Sequence, residues 1–228
     1  MKKTTTIIFG GKSGIGSAIS EIFRGRGDDV YTVSRRDIKS SNHISFDFCS
    51  DKKFSFQFPV DHLVFSQRYR GYNQDEEIKV MLTQPTKIVE ELVKFMNPGG
   101  SITFLGSTAG SYTVLEQPLH YHQIRAAIEA MTRFFAVRFG KFHIRCNCVI
   151  PTRIIKPENE SYYTPDNAMR QQIEKITPLG RMGTALEVAN VVSFFGSPEA
   201  SFVNGQCITV DGGTSALGHE TVATAVNS

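Results

Sequence analysis

Short apolar runs recur along the chain, and between them apolar positions return at helical spacing. Thr5 to Phe9 (TTIIF) is β-branched and apolar, the pattern of a strand buried on both faces. GGKSGIG follows, then a predicted amphipathic helix from about Ser17 to Arg24, with Gly25 and Gly27 as stop signals. Val30 to Ser34, His43 to Phe48 and His62 to Ser66 read as the next strands. Asp75 to Met96 has a helical pattern, with a kink predicted at Pro85 and an end at the NPGG of Asn97 to Gly100. Ser101 to Leu105 is a fifth strand, and LHYHQIRAAIEAM, Leu119 to Met131, reads as a helix. Ile144 to Ile150 is a sixth strand, Ala185 to Phe195 a helix, and Gln206 to Val210 a last strand.

Strand and helix alternate throughout. That order predicts an α/β fold: a doubly wound parallel sheet, Rossmann-like, with helices on both faces in a three-layer α/β/α arrangement. No internal repeat, low-complexity tract or linker divides the chain, so residues 1–228 are expected to form a single dinucleotide-binding domain. Arg153 to Thr177 is polar, rich in Pro, Asn and Tyr, and follows the sixth strand. Ligands of such sheets bind beyond the carboxyl ends of the strands, which makes this segment a candidate lid. The small, polar tail after Gly213 is expected to be partly mobile.

Composition narrows the classes. The chain is 40% hydrophobic and 21% charged, enough for one sizeable core. Its net charge of +3 is scattered rather than gathered into a basic stripe, which argues against nucleic acid as a partner. No apolar run approaches a membrane span, and the apolar stretch near the start is too short for a signal peptide. The expected compartment is the cytoplasm. Cys49, Cys146, Cys148 and Cys207 have neither disulfide-framework nor zinc spacing, and His43, His62, His143 and His219 show no metal-ligand spacing, so no metal is expected.

The chemistry begins between the first strand and first helix. Gly10, Gly14 and Gly16 form GxxxGxG in the strand–turn–helix context where backbone approaches a pyrophosphate at a helix N-terminus. An acidic residue at the end of the second strand would hold a ribose 2′-hydroxyl; this chain has Ser34, Arg35 and Arg36 instead. Arginine suits a 2′-phosphate, and Lys12 adds a second charge, so the reading is an NADP(H) site.

These residues, with those that follow, resemble the short-chain dehydrogenase/reductase family over nearly the whole chain. GGKSGIG is similar to the family's glycine loop, so Ser13 and Ile15 join Gly10, Lys12, Gly14 and Gly16 as cofactor-binding candidates. FDF, with Asp47 and Phe48, resembles the adenine-contacting turn after the third strand. SITFLGSTAG resembles the strand carrying the catalytic serine, here Ser107. YHQIR falls where the family has YxxxK, giving Tyr121 and Arg125. IRCNCVIP resembles the strand ending in the proline near the nicotinamide, here Pro151, with Ile154 beyond it. The segment PLGRMGTALEVANVVSFFGSPEASFVNGQCITVDGG resembles the family's C-terminal region. The resemblance implies a hydride transfer between NADP(H) and a carbonyl or alcohol, a small-molecule substrate, and a homodimer or homotetramer.

The departures from that pattern concern chemistry. Phe9 stands where the family has Thr, and Phe65-Ser66-Gln67-Arg68 where it has NNAG, which puts the usual bracing of the central strands in question; Ser66 and Gln67 remain candidates on the adenosine side. The supporting asparagine is Met81, the glycine after the proline is Thr152, and a later threonine is Lys156. The stretch between the second and third strands is short, so the usual helix there is expected to be reduced or lost.

A tyrosine ionises near pH ~10 when unperturbed, and a nearby cation stabilises its phenolate. Tyr121 and Arg125 are four apart on a helix and share a face. Arginine cannot pass its proton on, and Met81 cannot relay one. Water, His120 or His122 are the replacements, although residues adjacent to Tyr121 are expected to point away from its face. Plainer roles stand beside each assignment: Ser107 as a turn cap, Tyr121 as cofactor packing, Arg125 as an ion pair with Glu129. Arg153, Lys156 and Arg181 near the candidate lid leave room for an anionic substrate. A cofactor-binding or regulatory module and a lyase or isomerase on the same fold are the alternatives to a reductase, because fold alone does not decide function.

Overall fold

A computed structural model describes residues 3–227 of the chain. Seven strands form one sheet: β1 (Thr5–Phe9), β2 (Asp29–Ser34), β3 (His43–Ser45), β4 (Val60–Phe65), β5 (Met96–Leu105), β6 (Arg145–Pro151) and β7 (Cys207–Val210). All pairings are parallel, in the order β3-β2-β1-β4-β5-β6-β7. The helices are α1 (Gly14–Gly25), α2 (Gln74–Ile78), α3 (Gln84–Leu92), α4 (Leu119–Gly140), α5 (Ala168–Ile176), α6 (Ala185–Phe195) and α7 (His219–Asn227). This is the doubly wound, three-layer arrangement that the alternation predicts.

The near-continuous apolar strands are buried on two faces. On one, Ile19 and Phe23 of α1 and Val188, Val192 and Phe195 of α6 pack on Ile8, Val64 and Val149. On the other, Ile88 and Val89 of α3 and Ile124, Ile128, Phe135 and Phe139 of α4 pack on Phe9, Phe65 and Phe104. One row of residues on that second face runs in register across every strand: Ile44, Val33, Phe9, Phe65, Phe104, Cys148 and Cys207. At its centre the rings stack, Phe9 on Phe65 at 4.6 Å and Phe65 on Phe104 at 4.9 Å. Those separations match the spacing of neighbouring strands, about 4.8 Å.

The expected loss of the helix between β2 and β3 is seen, and the β3–β4 connection is helix-free as well. His43 to Phe48 is therefore strand only to Ser45. Phe46, Phe48, Phe54 and Phe56 leave the sheet and fold over its face, with Phe9 edge-on to Phe48 and Phe54. An aromatic loop thus covers sheet that a helix would otherwise cover.

Other boundaries differ for local reasons. Pro85 removes a backbone donor, and the helix adjusts by a π-helical turn over Lys79–Thr83 before α3 instead of breaking. The helical run ends at Phe95, and Met96 already pairs with Val60, ahead of a register shift; β5 thus starts before the NPGG that the pattern gave as the helix end. α1 begins at Gly14, inside the glycine loop, three residues before the predicted start. The candidate lid segment contains α5, and the tail expected to be partly mobile contains α7, which packs on α5.

His62 is buried in β4, its Nδ1 2.9 Å from Ser101 Oγ and its ring edge-on to Phe23. Burial, reinforced by the Arg26 charge, pushes it down to about 4. The unfolded chain takes up this proton near pH ~6.5 and the folded chain only near 4, so acidification through that window favours unfolding. The contribution is at most about 3 kcal/mol. Thermal melts from pH 7 to pH 4 are expected to show a smaller loss of stability in His62→Gln than in the parent chain.

Candidate active site

The glycine loop is tied to the central strands by contacts that only glycine permits. Gly10 has a left-handed φ of 81°, and a Cβ there would lie 2.6 Å from the backbone nitrogen of Gln67. A Cβ at Gly16 would collide with the carbonyl oxygen of Gly10. Ser20 Oγ donates to the carbonyls of Gly11 and Gly16, at 3.0 and 2.8 Å, and locks the turn. The bracing that the missing NNAG put in question is supplied by Ser66: its backbone N–H and its hydroxyl both donate to Phe9 O, at 2.9 and 3.1 Å.

The N-terminus of α1 is left electrostatically open. Ser13 makes no side-chain cap, and the first turn holds no acidic residue. Glu158, far along the chain, brings its carboxylate there: Oε1 lies 2.6 Å from the position a Gly14 Cβ would take. It is also 3.9 Å from Arg70. A carboxylate at a helix start is stabilised by the orphan N–H groups and the helix dipole. The protein thus fills its own glycine cradle with an anion, which fits a site for a pyrophosphate.

At the end of β2, Arg35 and Arg36 are exposed, and neither forms an ion pair among the described residues. His43 Nε2 lies 2.8 Å from Arg36 O, so β3 fixes the backbone that presents both guanidiniums. Lys12 is also exposed. Ser34 lies beside His43 Nε2 at 3.4 Å. Asp47 Oδ1 accepts from the Cys49 N–H at 3.0 Å, which shapes the turn after β3. The Phe48 ring and the Ile154 side chain are buried in the two cores, leaving only their backbone for a ligand; Ile15 packs partly against the α1 face. Gln67 Nε2 donates to Val80 O at 3.4 Å, while its Oε1 is buried without a partner. Pro151 ends β6, and Asn159 pins the following turn through Lys156 N and Ile154 O, at 2.6 and 3.1 Å.

The tyrosine and arginine meet as their spacing predicts. The Arg125 guanidinium carbon lies 4.4 Å from the centre of the Tyr121 ring. Arg125 is buried, its Nε has no hydrogen-bond partner, and its ion pair is not with Glu129. It faces Glu77 of α2 at 4.0 Å, while Glu129 faces Arg133 at 3.9 Å. Glu77 also lies 3.3 Å from His120 Nε2. Sequence reasoning missed Glu77; the available signal was its place four residues before Met81, on the same helical face. Met81 itself is buried among apolar residues.

Tyr121, Arg125, Glu77, His120 and Arg68 line one cleft of about 390 Å³. A second hollow of about 340 Å³, between Lys53 and Lys87, contains none of the predicted residues. Ser107 does not line the first cleft. Its Oγ accepts from the Ala109 N–H at 3.3 Å and caps the turn Thr108–Gly110, which rests on α4 beside Arg125. His122 is engaged elsewhere: Nε2 accepts from Val114 N–H at 2.9 Å, and Nδ1 lies 3.1 Å from Pro118 O. It fixes the loop before α4. Arg181 forms a two-point ion pair with Glu187 and is committed to the α6 cap. Burial, with the like charge of Arg70, lowers the Arg68 guanidinium; burial, with Arg68, lowers the Lys156 ammonium. Among the described residues no group of three or more His, Cys, Asp or Glu is placed to hold a metal, and no helix is long and apolar enough to cross a membrane.

Residues 69–215 match the family model described as enoyl-(acyl carrier protein) reductase. The chain is 28% identical over 238 residues to the 3-oxoacyl-[acyl-carrier-protein] reductase MabA of Mycobacterium tuberculosis, covering 94% of each protein. It is 36% identical over 133 residues to a tropinone reductase homologue of Arabidopsis thaliana, covering 58% of this chain and 48% of that one. Among solved structures, BdcA in complex with NADPH is similar with a TM-score of 0.79 and 26% identity, over 95% of this chain and 96% of that one. The aldohexose dehydrogenase of Thermoplasma acidophilum shares the fold with a TM-score of 0.81 at 24% identity, over 96% of both chains.

A cofactor phosphate seated at this helix end would compete with Glu158, whose charge would repel it. Glu158→Gln is therefore expected to tighten NADPH binding about two- to fivefold, from a helix-end charge worth about 0.3–1 kcal/mol. Fluorescence titration checks this; weaker binding in the variant would show that the carboxylate supports the site.

Proposed function

The chain belongs to the short-chain dehydrogenase/reductase family of oxidoreductases, and on that premise we propose that it is an NADP-dependent reductase acting on a carbonyl or alcohol. The observation that carries the reading is the Arg125 guanidinium over the Tyr121 ring, in a cleft beyond the carboxyl ends of the central strands. The bound nicotinamide supplies or accepts the hydride. Tyr121 gives the substrate oxygen its proton, and Arg125 steadies the phenolate left behind. Ser107, whose Oγ accepts from the Ala109 N–H and keeps its own O–H to donate, holds the same oxygen. Gly10 to Gly16 seat the pyrophosphate, and Asp47 and the backbone of Phe48 border the adenine. Arg35, Arg36 and Lys12 receive the 2′-phosphate beside Ser34, and Pro151 with Ile154 borders the nicotinamide.

The cofactor choice rests on the two unpaired arginines after β2 and is in keeping with the NADPH bound by BdcA. Residues 153–177 serve as the lid of this reading, with Arg153 and Lys156 turned to an anionic substrate group. Assembly into a homodimer or homotetramer belongs to it too: Phe134 and Val137 on α4 and Phe202 before β7 are large exposed apolar residues. One observation favours a second reading, a cofactor-binding module without turnover: Met81 is sealed in the apolar core at the position of the family's supporting asparagine.

Arg35→Ala is expected to weaken NADPH binding about tenfold or more, the scale of a charge-assisted hydrogen bond, with NADH changed less than about twofold. Tyr121→Phe is expected to lower kcat on a responsive carbonyl by about 10²–10⁴ while leaving NADPH binding intact. NADPH binding without oxidation across a broad carbonyl panel would favour the module.

A further inference from the structure

The proposed reaction leaves a problem that the family's usual residues would solve and this chain's do not. Each time Tyr121 gives up its proton, the phenolate must be reprotonated from solvent. Arg125 holds its protons too tightly to pass one, and Met81 has no group to relay one. His122 has both ring nitrogens engaged by the loop before α4.

His120 is placed differently. It precedes Tyr121 in the first turn of α4 and lines the same cleft. Its Nε2 lies 3.3 Å from Glu77, a carboxylate 7% exposed on α2. Nε2 faces Glu77, and Nδ1 has no hydrogen-bond partner among the described residues. The buried Glu77 carboxylate 3.3 Å behind the imidazole restrains the ring's orientation. Glu77 is shared with Arg125 at 4.0 Å, so the pair is tied to the cation that sits over Tyr121. His120 lines the same cleft as Tyr121, with its Nε2 against Glu77 of α2.

We propose that the Glu77–His120 pair is the proton port of this site, replacing the relay that Met81 and Arg125 interrupt. The inference rests on the reductase reading. In the reducing direction the Tyr121 O–H bond breaks, its proton forms the product hydroxyl, and the electron pair stays on the phenolate. The His120 imidazolium then releases a proton through cleft water to re-form the Tyr121 O–H. It returns to neutral imidazole and is recharged from solvent. No redox partner beyond the hydride is needed. Glu77 acts through His120 and is a positioning residue.

The test is chemical rescue in the full-length protein with NADPH and a carbonyl that the parent enzyme reduces. His120→Ala is expected to lower kcat about tenfold or more, part of the 10²–10⁴ that a positioned acid supplies. NADPH affinity and KM should stay within about twofold. Added imidazole should restore kcat in proportion to its concentration in His120→Ala, and should do nothing for the parent or for Glu77→Gln, which still carries its own imidazole. The solvent deuterium isotope effect on kcat should grow in His120→Ala and fall back with imidazole. Unchanged kcat in His120→Ala, or a loss that imidazole does not relieve in a variant that still binds NADPH, overturns the proposal and leaves the reductase reading standing. A parent protein without carbonyl reduction takes both down.

Discussion

The spacing between parallel strands, about 4.8 Å, also falls within the range of about 4.5–7 Å over which offset-stacked aromatic rings place their centroids. Phe9, Phe65 and Phe104 exploit that coincidence at the carboxyl ends of β1, β4 and β5. Gly10 follows the first ring directly, Ser66 follows the second, and Ser107 comes three residues after the third. The stack therefore fixes the edge from which the glycine loop, the 66–72 segment and the serine turn all spring. Polar residues usually brace this edge in the family the chain resembles. Here stacked rings pack across the strands, and Ser66 adds two hydrogen bonds to Phe9 O. The same ring of Phe9 anchors the phenylalanines that cover the sheet beyond β2, so the loss of a helix there and the change at Phe9 belong to one packing solution.

The electrostatics of the site follow a similar exchange of parts. A lysine can ionise a neighbouring phenol, bond ribose and hand on protons; a guanidinium can do only the first two. Arg125 is buried, stacked on Tyr121 and balanced by Glu77, which itself reaches His120. In the proposed reaction, the work that one lysine and one asparagine would combine falls to three side chains on two helices, Arg125, Glu77 and His120. Around them Arg68, Arg70 and Lys156 crowd positive charge that one nearby carboxylate, Glu158, answers, and Glu158 lies on the glycine loop itself. Positive charge thus gathers beside the glycine loop, where Glu158 supplies the carboxylate.

The sequence alone determined the alternation of strand and helix, the parallel sheet, the glycine turn, the Ser34-Arg35-Arg36 run without an acidic residue and the shared face of Tyr121 and Arg125. Each of these is local: a period of two or 3.6, a residue type at a turn, or a spacing of four fixes it without reference to distant chain. Tertiary structure decided what depends on which surfaces meet. The strand expected through Phe48 stops at Ser45 because Phe46 and Phe48 find rings in the core, and the helix through Pro85 survives because a π turn absorbs the missing donor. Glu77 beside His120, Glu158 on Gly14, and Ser66 against Phe9 join residues 43, 144 and 57 positions apart. No periodicity encodes such pairs, because the partners become neighbours only when the sheet order brings their strand ends and helices together.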